Sequence, residues 1–264
     1  MQDRHKNRKQ YFNEQGITTK KYVIPYISEV KTIDKNTRLL EIGCGEGGNM
    51  SPFIEMGCEV VGVDLNSRQI ANAKTYIAQD YENANATLLD QNIYDLTTDD
   101  IGSFDVVMLR DVIEHIPNQS KFLAHLKSFL KPDGVVFFGF PPWTMPFGGH
   151  QQVCQSKLLS VTPYFHLLPK FLYRLILKTY GETEGKIESL MEIKDTGIGI
   201  SKFQRIVKQN GYKFLRKTHY LINPNYEIKF GLKKREQFAI IKAIPFFRDF
   251  VTTCMYSVIK LDDN

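Results

Sequence analysis

The chain has 264 residues, room for one large α/β domain with an insertion, and its 42% hydrophobic and 24% charged residues exclude disordered and fibrous classes. Cys44, Cys58, Cys154 and Cys254 are scattered, with no C-x-x-C pair and no clustered histidines, which excludes a disulfide framework and a zinc site and predicts reduced thiols in a cytoplasmic protein. The formal net charge is +5, but residues 201–264 hold thirteen Lys/Arg against five Asp/Glu, either a solvated basic face or a surface for an acidic substrate, an anionic membrane or a nucleic acid.

The opening MQDRHKNRKQ is polar and basic and is followed by no apolar run, so no signal peptide is expected. No stretch is long enough for a membrane span, because Pro169, Lys170 and Arg174 break the apolar run from Phe165 to Leu177. Leu39–Ile42, Val60–Val63, Thr87–Leu89, Phe104–Leu109 and Val135–Phe140 are short apolar runs bounded by turn residues, as buried parallel strands are. Between them, Asn66 can cap a helix over Arg68–Gln79. Asn118 or Ser120 can cap one whose Phe122, Leu123, Leu126 and Leu130 share a face. Lys131-Pro132-Asp133-Gly134 reads as a turn into the fifth strand. A strand–helix alternation of this kind predicts right-handed βαβ units and a doubly wound, Rossmann-like α/β sheet. After Phe140 comes a segment rich in Pro, Gly and aromatics, with a helix expected over Pro169–Tyr180. The alternation then resumes with a helix over Lys202–Gln209 capped by Ser201, a strand over Tyr212–Leu221 and a last strand over Thr252–Leu261. The expected organisation is an N-terminal helical cover over 1–33, a cofactor-binding core over 34–140, an inserted helical lid over 141–195 and a C-terminal completion of the core over 196–264.

The most informative segment is Leu39-Leu40-Glu41-Ile42-Gly43-Cys44-Gly45-Glu46-Gly47-Gly48, a buried strand that ends in a carboxylate and runs into a glycine-rich turn. Glycine there lets the backbone approach a ligand where a Cβ would intrude. Gly43, Gly45 and Gly48 satisfy G-x-G-x-x-G, a pattern shared with dinucleotide enzymes. Glu41 argues against a dinucleotide, since its carboxylate would repel a pyrophosphate. It suits S-adenosylmethionine, whose sulfonium and ammonium are cationic, either directly or through the loop amides. Asp64, ending the second strand, can accept from both ribose hydroxyls, with Leu65 beside it. Asp90 can accept from an adenine amino group with Gln91 and Asn92 flanking the ring, or can simply cap the next turn.

Leu40-Glu41-Ile42-Gly43-Cys44-Gly45-Glu46-Gly47, Val63-Asp64, Phe104-Asp105-Val106-Val107, Arg110-Asp111-Val112-Ile113-Glu114-His115-Ile116-Pro117 and Leu130-Lys131-Pro132-Asp133-Gly134 together resemble the class I S-adenosylmethionine-dependent methyltransferases. The similarity is greatest to the group containing the ubiquinone and menaquinone methyltransferases, and it covers residues 35–140 in unbroken order and 201–221 less clearly. The resemblance implies that the glycine loop, Gly43 to Gly47 with Cys44, holds the methionine part, Asp64 the ribose and Asp90 the adenine. It also implies that the Arg110 backbone carbonyl lies near the sulfonium, and that S-adenosyl-L-homocysteine is the product.

Methyl transfer is an in-line displacement, so a protein must align the acceptor, exclude water and, for a hydroxyl, remove a proton. Two histidines are candidate bases. His115 follows the fourth strand, where it can equally brace the loop. His150 lies in Phe147-Gly148-Gly149-His150, a close approach, a hinge or an exposed turn. No metal ligands are expected. Pro141-Pro142-Trp143 is not the Asp/Asn-Pro-Pro-aromatic motif of DNA amino-methyltransferases, because Phe140 replaces the acid or amide and the motif follows the fifth strand. Trp143 is instead a candidate lining residue for an acceptor pocket. The expected function is methyl transfer, preferentially to oxygen, on a small, partly apolar acceptor. The insertion would serve as a lid, as an oligomer interface, or as a peripheral membrane contact through Lys170, Arg174 and Lys178. The alternatives are a nucleic-acid methyltransferase, for which no recognition module is visible, a non-catalytic binding module and an NAD enzyme.

Overall fold

In the computed structural model, which describes residues 7–262, eight strands form one sheet. They are β1 (Arg38–Ile42), β2 (Glu59–Val63), β3 (Ala86–Leu89), β4 (Phe104–Arg110), β5 (Leu130–Phe140), β6 (Tyr212–Ile222), β7 (Arg235–Glu236) and β8 (Cys254–Leu261). The order across the sheet is β3-β2-β1-β4-β5-β8-β6-β7. β1 to β5 are parallel, and β8 runs antiparallel between β5 and β6.

The apolar runs are continuous because both faces of the sheet are covered, and side chains alternate between two cores. On one face Leu40, Val107, Leu109, Val136 and Phe138 pack with Phe122, Leu126 and Phe203. On the other Leu39, Val106, Met108, Val135 and Phe137 pack with Phe53, Ile70 and Ile77. The chain winds outward from β1 in one direction and from β4 in the other, so a crevice opens outside their carboxyl ends. Because β8 is antiparallel, its first residue Cys254 pairs with Tyr220 near the end of β6, and Met255 pairs with the end of β5. The segment joining β6 to β8 therefore lies at the same edge as the crevice.

Local expectations and structure differ in identifiable ways. Lys131 to Gly134 do not separate helix from strand. Leu130 already pairs with Phe104 and Val135 with Val106, so the four residues lie opposite the single Asp105 as a bulge inside β5. Asn66 and Asn118 cap their helices by accepting from Gln69 and Lys121 amides. Ser201 is not a cap, because its helix begins at Ile200 after Gly199, and its hydroxyl meets Arg248 instead. The two-residue β7 is too short to carry a sequence pattern.

The two longer helices of the insertion, Lys170–Thr179 and an unexpected Glu184–Thr196, pack around a small core of its own with Tyr173, Leu177, Ile187, Leu190 and Phe165, to which the short helix Lys157–Val161 adds Leu159. Arg174 and Lys178 on the first helix pair with Glu188 and Glu184 on the second at 2.6 and 2.9 Å, and Lys170 pairs with Asp195. Trp143 is a packing residue here, against Gly197 and, edge-on, against His166 at 4.7 Å. Among the described residues, no helix is long and apolar enough to cross a membrane.

Candidate active site

The loop after β1 is fixed from three sides. Gly43 has φ +70°, and a Cβ there would sit 2.5 Å from Val112, so the loop after β4 rests directly on the glycine turn. Gly45 and Gly47 also lie in the left-handed region. The Gly45 amide donates to Asp64 Oδ2 at 2.9 Å, and Asp64 Oδ1 accepts from the Asn66 amide at 2.8 Å. From above comes the helix Arg8–Thr18, packed so closely that a Cβ on Gly48 would stand 2.4 Å from the Phe12 carbonyl oxygen. Arg8 donates to buried Glu46 through Nε at 2.6 Å.

Under the loop lies a buried polar cluster that sequence reasoning did not find. Glu41 is fully buried; its Oε1 accepts from Asn49 Nδ2 at 2.8 Å and its Oε2 has no partner. Burial pushes its carboxyl up to about 8. Arg110, the last residue of β4, turns inward and donates to Asn49 Oδ1 at 2.6 Å and Thr19 Oγ1 at 3.2 Å. Thr19 reaches them because the N-terminal helix widens into a π-helical turn at Thr19–Val23. The side chains of Glu41 and Arg110 thus build the floor of the crevice. Cys44 is buried, and burial raises its thiol. Leu65 is 74% exposed beside Asp64, an apolar surface with no cover. Asp90, Gln91 and Asn92 are exposed after β3, where Asn92 Oδ1 accepts from the Tyr94 amide at 3.1 Å.

Beyond β4 the chain turns at Asp111, a non-glycine residue at φ +56° whose carboxylate is exposed. Such a conformation is uncommon for a side-chain-bearing residue and marks a strained bend at the mouth of the crevice. Glu114 follows, buried, with both carboxyl oxygens unpartnered, and burial raises its carboxyl well above the ordinary range. Thr196, at the end of the insertion, donates to the Glu114 carbonyl at 2.6 Å and ties the two segments together.

The two histidine candidates, 35 positions apart in sequence, meet here. The His115 and His150 rings stand 5.0 Å apart edge to face, and His150 Nε2 lies 3.9 Å from Glu114 Oε1. One possible ligand atom from each of Glu114, His115 and His150 falls within 4.8 Å of the others, a grouping that spacing did not predict and that a divalent cation can use. His150 has φ +56°. Burial and the neighbouring His115 push its imidazole down to about 4, so it is neutral near pH 7. Gly148 and Gly149 mark close approach, since a Cβ would meet the Trp143 carbonyl at 2.2 Å or the His166 side chain at 2.3 Å.

Comparisons with known proteins agree with this geometry. Residues 12–149 match the family model described as a methyltransferase domain. A ubiquinone biosynthesis O-methyltransferase of Rhodopseudomonas palustris strain TIE-1 is 33% identical over 104 residues, 38% of this chain and only 38% of that protein. In structure, the chain is similar to magnesium protoporphyrin IX methyltransferase from Synechocystis PCC 6803 with bound S-adenosylhomocysteine: TM-score 0.54, 16% identity, covering 94% of this chain and 86% of the other. It is similar too to geranyl diphosphate C-methyltransferase from Streptomyces coelicolor, with TM-score 0.54, 15% identity and coverage of 89% and 77%. The family match spans over half of the chain and contains the glycine loop and His115, so this protein belongs to the methyltransferase-domain family and has the class I S-adenosylmethionine-dependent methyltransferase fold.

Proposed function

We propose that this enzyme methylates an oxygen of a small, partly apolar acceptor bound between the loop after β4 and the insertion. The observation that carries this reading is Glu114, a buried carboxyl with two unpartnered oxygens beside a neutral imidazole. Buried polar atoms left unpaired in a native protein call for a partner, and an acceptor hydroxyl supplies one. Val112 rests on Gly43, so this cluster adjoins the glycine loop, as methyl transfer requires.

The groups around the crevice suit S-adenosylmethionine. The glycine loop, with Gly43, Gly45 and Gly47 in left-handed conformations, would hold the methionine part. The carboxylate of Asp64 has lone pairs left for ribose hydroxyls, and exposed Leu65 offers an apolar face to the base. Asp90, Gln91 and Asn92, exposed after β3, would take the adenine edge, and Glu41, under the loop, would face the ammonium end. When bound, the cofactor supplies an activated methyl group on a cationic sulfur. His150, held neutral by burial, has a lone pair for the acceptor proton, and His115 packs against its ring and fixes its orientation. The insertion, tied to the loop after β4 through Thr196, would close over the pair and exclude water.

The test is transfer of labelled methyl from S-adenosylmethionine into a metabolite and lipid extract, with products identified by mass. An O-methylated, partly apolar product is expected. Label appearing on nitrogen, on carbon or in nucleic acid would overturn the acceptor assignment, and cofactor binding without any transfer would overturn catalysis.

A further inference from the structure

The segment between β6 and β8, residues 223–253, exposes a dense run of apolar side chains. Phe238, Ile240, Ile244, Phe246 and Phe247 are all exposed, Ile240 and Phe246 to 73% each. Isolated exposed apolar side chains are ordinary, but five within ten residues are not. Phe246 is held at φ +65°, a conformation rare for an aromatic residue, and it presents its ring to solvent. The same segment carries six Lys/Arg and three Asp/Glu. Of the three acids, Asp249 is buried, Glu227 is taken by Lys21 at 2.7 Å and Glu236 by Lys242 at 3.0 Å. Lys233, Lys234 and Arg235 are exposed, and none of them has an ion pair among the described residues. Apolar side chains interleaved with uncompensated cations suit a surface that is apolar within and anionic at its boundary.

The position adds to the composition. The segment leaves the end of β6 and returns at the start of β8, the edge of the sheet where β4 and β5 end and where Glu114 and His150 lie. Tyr164 of the insertion donates to the Phe250 carbonyl at 3.0 Å, so this rim and the insertion are joined. The cations of the insertion helix Lys170–Thr179 are instead neutralised by ion pairs to the neighbouring helix.

From these observations we infer that residues 232–250 dock on an anionic lipid bilayer, with Ile240 and Phe246 entering the headgroup boundary and Lys233, Lys234 and Arg235 facing lipid phosphates. A partly apolar acceptor would then reach the crevice from the membrane at the rim that touches it. The docking surface itself stands whatever the acceptor is. The test is co-sedimentation of the full chain with vesicles of phosphatidylcholine, alone or mixed with phosphatidylglycerol. Binding to the mixed vesicles alone is expected, weakened about tenfold by Ile240→Ser with Phe246→Ser and about tenfold by Lys233→Ser with Lys234→Ser. Unchanged S-adenosylhomocysteine affinity in both variants would show that they fold. The inference is overturned if the full chain ignores both vesicles or if folded variants sediment as the parent does. It is equally overturned if the apolar variant merely turns a dimer into a monomer, which assigns the face to a second copy, or if RNA binds there and vesicles do not.

Discussion

The two banks of the crevice are built on opposite plans. On the cofactor bank, polar groups are paired within the protein: Asp64 holds the Gly45 and Asn66 amides, Glu46 holds Arg8, and Asn49 joins Glu41 to Arg110. Glu41 Oε2 is left over, as is Gln15 Oε1 where the N-terminal helix covers Gly48. On the acceptor bank, both Glu114 oxygens are unpartnered, and Asp111 and His150 take left-handed backbone conformations. A loop that binds an invariant cofactor can be finished in advance. A bank that takes the acceptor keeps buried polar atoms for the ligand to complete, at a cost in stability of about 1–3 kcal/mol for each unsatisfied group.

If that contrast is right, substitutions on the two banks separate transfer from binding. The largest effect is expected for His150→Ala, with transfer reduced about 10²–10⁴-fold while calorimetry finds S-adenosylhomocysteine affinity unchanged. Equal loss of both would mean that His150 supports the loop and not the reaction. A chelator distinguishes base from ligand: if chelation abolishes transfer and a divalent cation restores it, Glu114, His115 and His150 act as a metal site. Next in size, Asp64→Ala should weaken cofactor binding by about 2–4 kcal/mol, as charge-assisted bonds to ribose and to the Gly45 amide are lost together. Gly48→Ala should follow at about 1–3 kcal/mol of stability, because its Cβ meets Phe12 backbone that cannot rotate away. Thermal melting measures it, and an unchanged melting temperature would show that the N-terminal helix is free to retreat.

The cofactor bank was far more legible in the sequence than the acceptor bank, for a physical reason. Strand, glycine turn and terminal acid are local features within ten residues, and parallel strands buried on both faces read as plain apolar runs. The positions of Leu39 to Gly48 and of Asp64 could therefore be anticipated. The partners of Arg110 could not, because Asn49 and Thr19 meet it across 61 and 91 positions, Thr19 by way of a widened helical turn. The histidine pair is similar. His115 and His150 were each visible as candidates, but their convergence on Glu114 depends on how the insertion folds back, and its helix Glu184–Thr196 has too weak an apolar stripe to be read from sequence. The local signal for this bank is Asp111-Val112-Ile113-Glu114, two acids directly after a strand, of which Glu114 is buried.

The smallest predicted effect tests the unpartnered carboxyl oxygen of the cofactor bank. Glu41 titrates near 8 in the ligand-free protein, because burial disfavours its charge, whereas in the unfolded chain it titrates near 4.5. Between those values the folded state holds a proton that the unfolded state does not, so stability falls as pH rises and levels off once pH passes the folded value. Over the single unit from pH 7 to pH 8 this one group lowers stability by about 1 kcal/mol. A carboxylate is also the form that suits a cationic ligand, so the cofactor should draw the proton off Glu41 and bind more tightly toward pH 8. Glu41→Gln keeps the shape and the bond from Asn49 but cannot ionise. Urea unfolding of this variant should show the parent's stability at low pH without the decline between pH 7 and 8. Its affinity for S-adenosylmethionine should be lower and should not improve with pH. A variant that keeps the parent's pH dependence in both measurements would show that Glu41 is inert packing, and the cofactor bank would then be complete without its ligand.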